Sequence, residues 1–298
     1  MDLQEIRRRI AALDNTEIPV SREEFESFCN RVIAELPRNA ETGRELRWAY
    51  EQLIQLRVEE GRPARAMRVF RQYLGDCAPV CTENYDQLYQ AGLLATHTPS
   101  TPLRRRDRFY SLVQLFQKTL SLDGMIAECG CFRGLSSYVL CSTLKLANNA
   151  FDGAGYRVFD SFAGLSAPQP EDSIVGTGPD AEQLRQMTRP GQYAATLDKV
   201  KGALAAFPGI EYFPGWIPQA FPDESNVRYR FVHVDVDIYQ PTRDSIEYFY
   251  PRLVPGGILV SDDYNWPGAR KAIEEFCSKT GAAFEVTPYT QAYIVRRM

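Results

Sequence analysis

From Met125 onward, short apolar runs alternate with segments of helical length. Two runs, Tyr-Arg-Phe-Val-His-Val before Asp235 and Gly-Gly-Ile-Leu-Val-Ser before Asp262, are rich in Val and Ile, which is typical of buried strands. The segment between them, Thr242 to Leu253, has the length of a crossover helix. A strand, a helix and a strand in this order predict a parallel pair with a right-handed crossover.

An acidic pair follows each of these strands: Asp235 and Asp237 the first, Asp262 and Asp263 the second. Because parallel strands end at the same edge of a sheet, we expect all four acids at the carboxyl edge, where open α/β sheets bind ligands. Four carboxylates there repel one another unless some are protonated or a cation lies among them. Oxygen ligands favour a hard cation such as Mg²⁺. The alternative is that each acid is only a polar strand end or a helix cap.

The pattern divides the chain into two parts joined by a linker. Residues 1–95 have helical periodicity, and we interpret them as an all-helical extension for oligomerisation or docking. Residues 96–103, rich in Thr and Pro, form the predicted linker. Residues 104–298 predict an α/β domain with a Rossmann-like sheet of about seven strands. The last two runs are joined by four residues and can pair directly only as antiparallel strands, so we expect the last strand to be antiparallel, at the sheet edge.

Two other segments of the α/β region carry a distinct composition. Arg104, Arg105, Arg106 and Arg108 open a helix that runs to about residue 120. We expect them on its solvated face, and the alternative is that they attract an anionic substrate or an acidic patch on a partner. Residues 162–191 are rich in Pro, Gly and polar side chains. A long irregular segment in a compact domain is typical of a functional lid.

Composition narrows the class of protein. The 298 residues are 44% hydrophobic and 24% charged, as in soluble globular proteins. A net charge of −4 argues against nucleic acid as the main partner. Because the first residues lack a signal-peptide core and no apolar run reaches membrane-spanning length, we expect a cytoplasmic protein that binds no membrane. The seven scattered Cys are expected to be free thiols, and two His argue against a zinc site.

A glycine-containing turn, Glu128-Cys-Gly-Cys-Phe-Arg-Gly134, follows the first strand of the α/β region and opens a helix near Ser136. Gly130 allows a ligand to approach the backbone, and the helix start offers N–H groups to an anion. The spacing differs from the dinucleotide motif Gly-x-Gly-x-x-Gly, so an NAD-dependent dehydrogenase is the least favoured enzyme. Asp160 closes the second strand, where an acid accepts ribose hydroxyls, although it could instead cap the next helix. With an antiparallel last strand, these features favour S-adenosylmethionine over a nicotinamide.

Four strings in the α/β region resemble the macrocin O-methyltransferase family. They are Ala-Glu-Cys-Gly-Cys-Phe-Arg-Gly-Leu-Ser-Ser, Phe-Asp-Ser-Phe-Ala-Gly-Leu, His-Val-Asp-Val-Asp-Ile-Tyr-Gln-Pro-Thr and Pro-Gly-Gly-Ile-Leu-Val-Ser-Asp-Asp-Tyr. The resemblance covers about residues 104–298 and leaves the helical extension outside. It implies a class I methyltransferase that depends on S-adenosylmethionine and a metal and acts on sugar hydroxyls of natural products.

The resemblance also implies roles for individual residues. Asp235, Asp262 and Asp263 match metal ligands, and Asp237 matches a general base. Together with Gly134 of the turn, the positions expected to bind the cofactor are Glu128, Gly130, Ser136, Asp160, Ser161 and Trp216. His233 shares a strand face with Asp235 and Asp237 and is a rival base, but a core histidine is the favoured interpretation.

The sequence therefore predicts an S-adenosylmethionine- and Mg²⁺-dependent O-methyltransferase that acts on a vicinal diol of a glycosylated small molecule. A divalent cation that binds two adjacent hydroxyls lowers the pKa of the reacting one and fixes its direction. We expect a homo-oligomer with no nucleic-acid partner. Two alternatives stay open: a metal-dependent glycosyltransferase that uses Asp235-x-Asp237, and a methyltransferase-like scaffold without activity.

Overall fold

The computed structural model of the chain describes residues 2–14, 21–37, 42–76, 83–99, 103–174 and 185–297. These residues form two compact units. The first contains the described residues up to 76 together with 103–107, and the second contains 83–99 and the described residues from 108 onward. The helix Glu83–Ala95 thus belongs to the second unit, whereas the sequence pattern assigns it to the helical extension.

Four helices make up most of the first unit. They are α1 (Leu3–Asp14), α2 (Arg22–Glu35), α3 (Gly43–Glu59) and α4 (Pro63–Asp76). The predicted capping box is present at the start of α2, where the Ser21 hydroxyl accepts a hydrogen bond from the Glu24 N–H and the Glu24 carboxylate accepts one from the Ser21 N–H. Phe28, Val32 and Tyr50 are fully buried in the core that these helices share.

The second unit is built from helices and one sheet. The helices are α5 (Glu83–Ala95), α6 (Leu103–Gln117, shared with the first unit), α7 (Leu135–Ala147), α8 (Leu197–Ala203), α9 (Tyr239–Phe249) and α10 (Pro267–Thr280). The strands are β1 (Met125–Cys129), β2 (Tyr156–Asp160), β3 (Glu211–Pro214), β4 (Tyr229–Val234), β5 (Leu253–Ser261), β6 (Phe284–Val286) and β7 (Ala292–Val295).

Seven strands of the described residues form the sheet in the order β3-β2-β1-β4-β5-β7-β6. Strands β1 to β5 pair in parallel, and β7 is antiparallel to both β5 and β6. The prediction of an antiparallel last strand is confirmed, but its placement at the edge is wrong. Strand β7 lies between β5 and β6, because it pairs with the long buried strand β5 through four residue pairs.

The register of β4 and β5 positions the acids. Val234 pairs with Ser261, so that Asp235 and Asp262 follow directly at the same level of the sheet. The ladder continues for one more residue, since the Asp235 N–H donates to the Cys129 carbonyl and the Asp262 N–H to the Val234 carbonyl. Two neighbouring strand ends therefore present their acids side by side, as the sequence predicts.

The structure also bears on the predicted free thiols and on membrane-spanning helices. Among the cysteines that the structure describes, Cys29, Cys129, Cys131, Cys141 and Cys277 are free and buried. The predicted free thiols of Cys77 and Cys81 lie outside the described residues. None of the helices in the described ranges combines the length and the apolar character needed to cross a membrane.

Candidate active site

The glycine turn and the end of β2 are held together by one carboxylate. Asp160 Oδ2 accepts hydrogen bonds from the backbone N–H groups of Cys131 and Phe132, at 2.7 and 3.3 Å. Its other oxygen accepts one from the Phe162 N–H at 2.7 Å. The backbone carbonyl of Asp160 in turn accepts a hydrogen bond from the Gly215 N–H. Asp160 thus fixes the positions of the turn, the end of β2 and the end of β3 relative to one another.

The backbone at position 130 requires a glycine. Its φ of +79° lies in the left-handed region, and a Cβ there would lie 2.0 Å from the backbone oxygen of Asp235. The absence of a side chain lets the turn after β1 approach the acid-bearing loop after β4. The candidate cofactor turn and the candidate metal acids are therefore in direct backbone contact.

Glu128 lies in a buried hydrogen-bond network rather than on the surface of the turn. Its Oε2 accepts hydrogen bonds from the hydroxyls of Ser137 and Tyr156, and its Oε1 lies 3.1 Å from His233 Nδ1. Glu128 and His233 are paired residues of β1 and β4, so their side chains lie on the same face. Burial acts to lower the pKa of His233, but the neighbouring carboxylates of Asp262 and Glu128 raise it to about 10.

The four acids at the ends of β4 and β5 form one group, which we call the acidic cluster: Asp235, Asp237, Asp262 and Asp263. Asp235, Asp237 and Asp263 each offer an oxygen within 4.8 Å of the others. Asp235 and Asp262 form a second close set with a ring nitrogen of His233. The predicted convergence of the four acids is present in the structure.

Asp262 is held by groups of the protein itself. Its Oδ2 lies 2.9 Å from a guanidinium nitrogen of Arg108, and its Oδ1 accepts a hydrogen bond of 2.7 Å from the Gln291 side chain. His233 Nε2 lies 3.6 Å from the same Oδ1. Burial acts to raise the pKa of Asp262, but Arg108 and His233 hold it below its usual range.

Asp235 and Asp263 have pKa values shifted in the opposite direction. Burial and the charge of Asp262 raise the pKa of Asp235 to about 6. Burial and the charges of Asp237 and Asp235 raise the pKa of Asp263 well above its usual range. Neighbouring carboxylates raise one another's pKa, and a cation that lies among them stabilises their anionic forms. The donor chemistry of the cluster therefore suits a hard divalent cation.

The loop after β4 is fixed from two sides. Asp237 has a φ of +60°, and its N–H donates a hydrogen bond to Asp263 Oδ2. Two residues later, the Tyr239 N–H donates to Oδ1 of the buried Asp172 at 2.7 Å. Asp172 comes from a 3₁₀ helix (Pro170–Asp172) and acts as a cap for α9, which satisfies a helix N–H that lacks an intrahelical partner.

The long segment predicted as a lid is closed at its base. The Leu165 N–H donates to the Gln192 carbonyl and the Gly191 N–H to the Leu165 carbonyl, both at 2.9 Å. Phe132 of the glycine turn packs edge-on against Tyr193, with ring centroids 5.7 Å apart. The base of the segment therefore adjoins the glycine turn, and the part from 175 to 184 lies outside the described residues.

The remaining predicted cofactor residues differ in exposure. Gly134 is the N-cap of α7 with a φ of 88°, and Ser136 is buried in the first turn of that helix. The Ser161 hydroxyl donates to the Gly164 carbonyl and so closes the turn after β2. Trp216 is 44% exposed, in the segment after β3. The expectation that these residues bind a cofactor stays a prediction.

Arg108, Gln291 and Asp172 contact the site but were not among the predicted site residues. The expectation that Arg108 and Arg106 lie on a solvated face is wrong, since Arg106 is buried and the Arg108 side chain is only 21% exposed. The part of α6 that follows Arg108 is apolar on nearly all sides, which is typical of a buried helix. From this pattern the burial of Arg106 and Arg108 could have been predicted. Gln291 and Asp172 lie in irregular segments without a recognisable pattern.

The strand order, the glycine turn after β1 and the acids at the carboxyl edge define a class I methyltransferase fold. The macrocin-O-methyltransferase (TylF) family matches residues 101–289, which is more than half of the chain, and the chain belongs to this family. It is therefore an O-methyltransferase, and the glycosyltransferase and scaffold alternatives are set aside.

Two relatives of the chain are O-methyltransferases by name. The chain is 29% identical over 220 residues to 8-demethyl-8-(2,3-dimethoxy-alpha-L-rhamnosyl)-tetracenomycin-C 4'-O-methyltransferase of Streptomyces olivaceus, covering 68% of this chain and 79% of the relative. It is 28% identical over 172 residues to mycinamicin III 3''-O-methyltransferase of Micromonospora griseorubida, covering 55% of this chain and 65% of the relative.

Solved structures agree on the fold. The O-methyltransferase NovP superposes with a TM-score of 0.56 at 20% identity, covering 72% of this chain and 98% of NovP. The calicheamicin methyltransferase CalS11 gives a TM-score of 0.52 at 19% identity, covering 73% of this chain and 95% of CalS11.

Proposed function

We propose that this enzyme transfers a methyl group from S-adenosylmethionine to a hydroxyl of a sugar carried by a glycosylated small molecule, with a divalent cation such as Mg²⁺ in the acidic cluster. One observation carries the proposal: the glycine turn and the acidic cluster meet at one sheet edge, in backbone contact at Gly130 and Asp235. A cofactor on the turn thus lies next to an acceptor on the cluster. The name of the Streptomyces olivaceus relative, which specifies a rhamnosyl compound, supports the acceptor class.

The residues around the turn suit the cofactor. Gly130 lets the turn lie against the backbone of Asp235. The start of α7 after Gly134 presents N–H groups to the carboxylate of the methionine part. Asp160 closes β2, where an acid accepts the ribose hydroxyls. Because its carboxylate also holds the N–H groups of Cys131 and Phe132, we expect ribose binding and turn geometry to depend on the same side chain.

The acidic cluster suits the cation. The oxygens of Asp235, Asp237 and Asp263 lie within 4.8 Å of one another, and carboxylate oxygens are the ligands that a hard divalent cation prefers. From the sequence we predict Asp235, Asp262 and Asp263 as the ligands and Asp237 as the base. Because both oxygens of Asp262 already contact Arg108 and Gln291, we propose Asp235 and Asp263 as the principal ligands. A bound cation would lower the pKa of an acceptor hydroxyl.

We propose Asp237 as the base that takes the proton of that hydroxyl. It follows β4 at the rim of the cluster, and its backbone is fixed by the bond to Asp263. A base must lie within hydrogen-bond reach of the proton that it removes. His233, the rival base, is fully buried and in contact with Glu128, which favours its role in the core.

Calorimetric titration with S-adenosylhomocysteine tests the cofactor assignment. We expect micromolar binding to the wild type with or without Mg²⁺, and a loss of at least tenfold in Asp160→Ala. Asp198→Ala, which removes an exposed acid in the first turn of α8, is the matched control and should bind as the wild type does. No binding to the wild type under either condition would contradict the proposal.

A second assay addresses the acceptor. The enzyme, S-adenosylmethionine and Mg²⁺ are incubated with rhamnosylated aglycones and with the same compounds lacking one of two adjacent hydroxyls. We expect a mass increase of one methyl group only with the intact diol. The homo-oligomeric state stays a prediction, which light scattering on the full chain would test.

A further inference from the structure

Arg108 brings a positive charge into the acidic cluster. It lies in α6, and its guanidinium nitrogen is 2.9 Å from Asp262 Oδ2. Asp262 is only 3% exposed, so this ion pair is shielded from water on the carboxylate side. The charges of Asp235, Asp237 and Asp263 also act on the Arg108 guanidinium.

The structure divides the four acids into two roles. Both oxygens of Asp262 are engaged by the protein, one by Arg108 and the other by Gln291. The oxygens of Asp235, Asp237 and Asp263 come close enough to share one ion. The Arg108 guanidinium therefore neutralises Asp262, which lies beside the three acids that suit a divalent cation.

We propose that Arg108 is a resident counter-cation that weakens the binding of the divalent ion and thereby keeps the charge of the loaded site close to neutral. This inference rests on the proposed function. With all four aspartates ionised around a bound divalent ion, their charge of about −4, the +1 of Arg108 and the +2 of the ion sum to about −1. Without Arg108 the loaded cluster would carry about −2 and would repel an acceptor oxygen that becomes an anion during the reaction.

The size of the effect follows from Coulomb's law. Even at the dielectric constant of water, the repulsion between a single and a double positive charge about 6 Å apart lowers the affinity for the divalent ion roughly tenfold. Removing the charge of Arg108 should therefore tighten ion binding. If Arg108 served instead only to orient Asp262 as a ligand, its removal would weaken ion binding. The two roles differ in the sign of the change.

Calorimetric titration of Mg²⁺ and Mn²⁺ into the full chain, without cofactor or acceptor, tests the inference. Arg108→Gln and Arg108→Met remove the charge with side chains of different shape, and Arg108→Lys keeps it. Arg228→Gln is the matched control, because it removes the same charge from an exposed residue at the other end of β4. Circular dichroism and S-adenosylhomocysteine binding identify the variants that fold, and either neutral variant that folds is sufficient.

We expect the ion dissociation constant to fall at least tenfold in the neutral variants and to stay within about threefold in Arg108→Lys and Arg228→Gln. We also expect kcat to fall in the neutral variants while ion binding tightens. Unchanged or weaker ion binding in the neutral variants overturns the inference. So does an absence of ion binding in the wild type, and the titration with S-adenosylhomocysteine then decides separately whether the cofactor assignment stands.

Discussion

The backbone N–H of Asp237 donates a hydrogen bond to Oδ2 of Asp263, with the two atoms 3.0 Å apart. The bond joins the loop after β4 to the turn after β5. It also holds Asp237 in a left-handed conformation that costs a non-glycine residue about 1 kcal/mol or more. The position of the proposed base therefore depends on a proposed metal ligand.

Because of this dependence, we expect the loss of an acid after either strand to lower turnover. Asp235→Ala and Asp263→Ala should each lower turnover at least about 100-fold, because both remove a candidate ligand and the second also releases Asp237. The affinity for S-adenosylhomocysteine should change less than about threefold. Methyl-transfer rates and calorimetry on the same preparations check this, with Asp198→Ala as the control. An active Asp235→Ala enzyme would rule out the metal role.

Gly130→Ala should destabilise the protein and disturb the site. The new Cβ would meet the Asp235 backbone oxygen at 2.0 Å, so one of the two loops must move. We expect the free energy of unfolding in urea to fall by about 3 kcal/mol or more, through strain and a broken backbone contact. Binding of S-adenosylhomocysteine and of Mg²⁺ should weaken together.

Gly155→Ala separates the clash from the backbone strain. Gly155 has nearly the same φ, +81°, but a Cβ there meets nothing within 4 Å. This variant should lose only about 1 kcal/mol and should bind both ligands as the wild type does. Equal losses in the two variants would show that the close approach at Gly130 has no energetic effect.

His233 should make stability depend on pH. Its pKa is about 10 in the fold against an ordinary value of 6.5, so the folded state holds one more proton than the unfolded state between these values. This contribution is fully present below pH 6.5 and is lost as the pH rises through 10. Relative to His233→Asn, the wild type should lose up to about 1.4 kcal/mol of stability per pH unit. Urea unfolding in chelating buffer at pH 6.5, 8 and 9 measures it, and a constant difference between the proteins would contradict the shift.

Asp172→Ala should weaken both the fold and the reaction. It leaves the N–H groups of Tyr239 and Gln169 without their acceptor, which costs about 1–3 kcal/mol for a buried donor. Because Tyr239 begins the helix that follows Asp237, we expect kcat to fall more than the affinity for cofactor. Glu171→Ala is the control, since its salt bridge to Lys271 at 3.4 Å is accessible to solvent and should contribute little to stability. Equal effects of the two substitutions would refute the capping role.

The sheet and its acidic edge could be predicted because local patterns determine them. The runs before Asp235 and Asp262 are short, β-branched and separated by one helix, and these features imply parallel strands that end together. The turn from Glu128 to Gly134 was recognisable for the same reason. Each of these signals is contained in a single stretch of chain.

The contacts that complete the site depend on residues far apart in sequence. Arg108 and Asp262 are separated by more than a hundred residues, and no periodicity relates them. The placement of β7 between β5 and β6 is decided by competition for the edge of β5, which the two final runs do not encode. The burial of Glu128 against Tyr156 and His233 likewise follows from the strand order.

The two hydrogen bonds that join Leu165 to Gly191 and Gln192 have a consequence for how this chain can evolve. They close the segment 166–190 at its base, and Asp172 within it binds the start of α9. The free-energy cost of closing a loop rises by only about 0.6 kcal/mol when its length doubles. Changes of length that leave both ends and Asp172 in place should therefore cost little stability, so a descendant of this chain can vary the rest of the segment while the sheet edge stays unchanged.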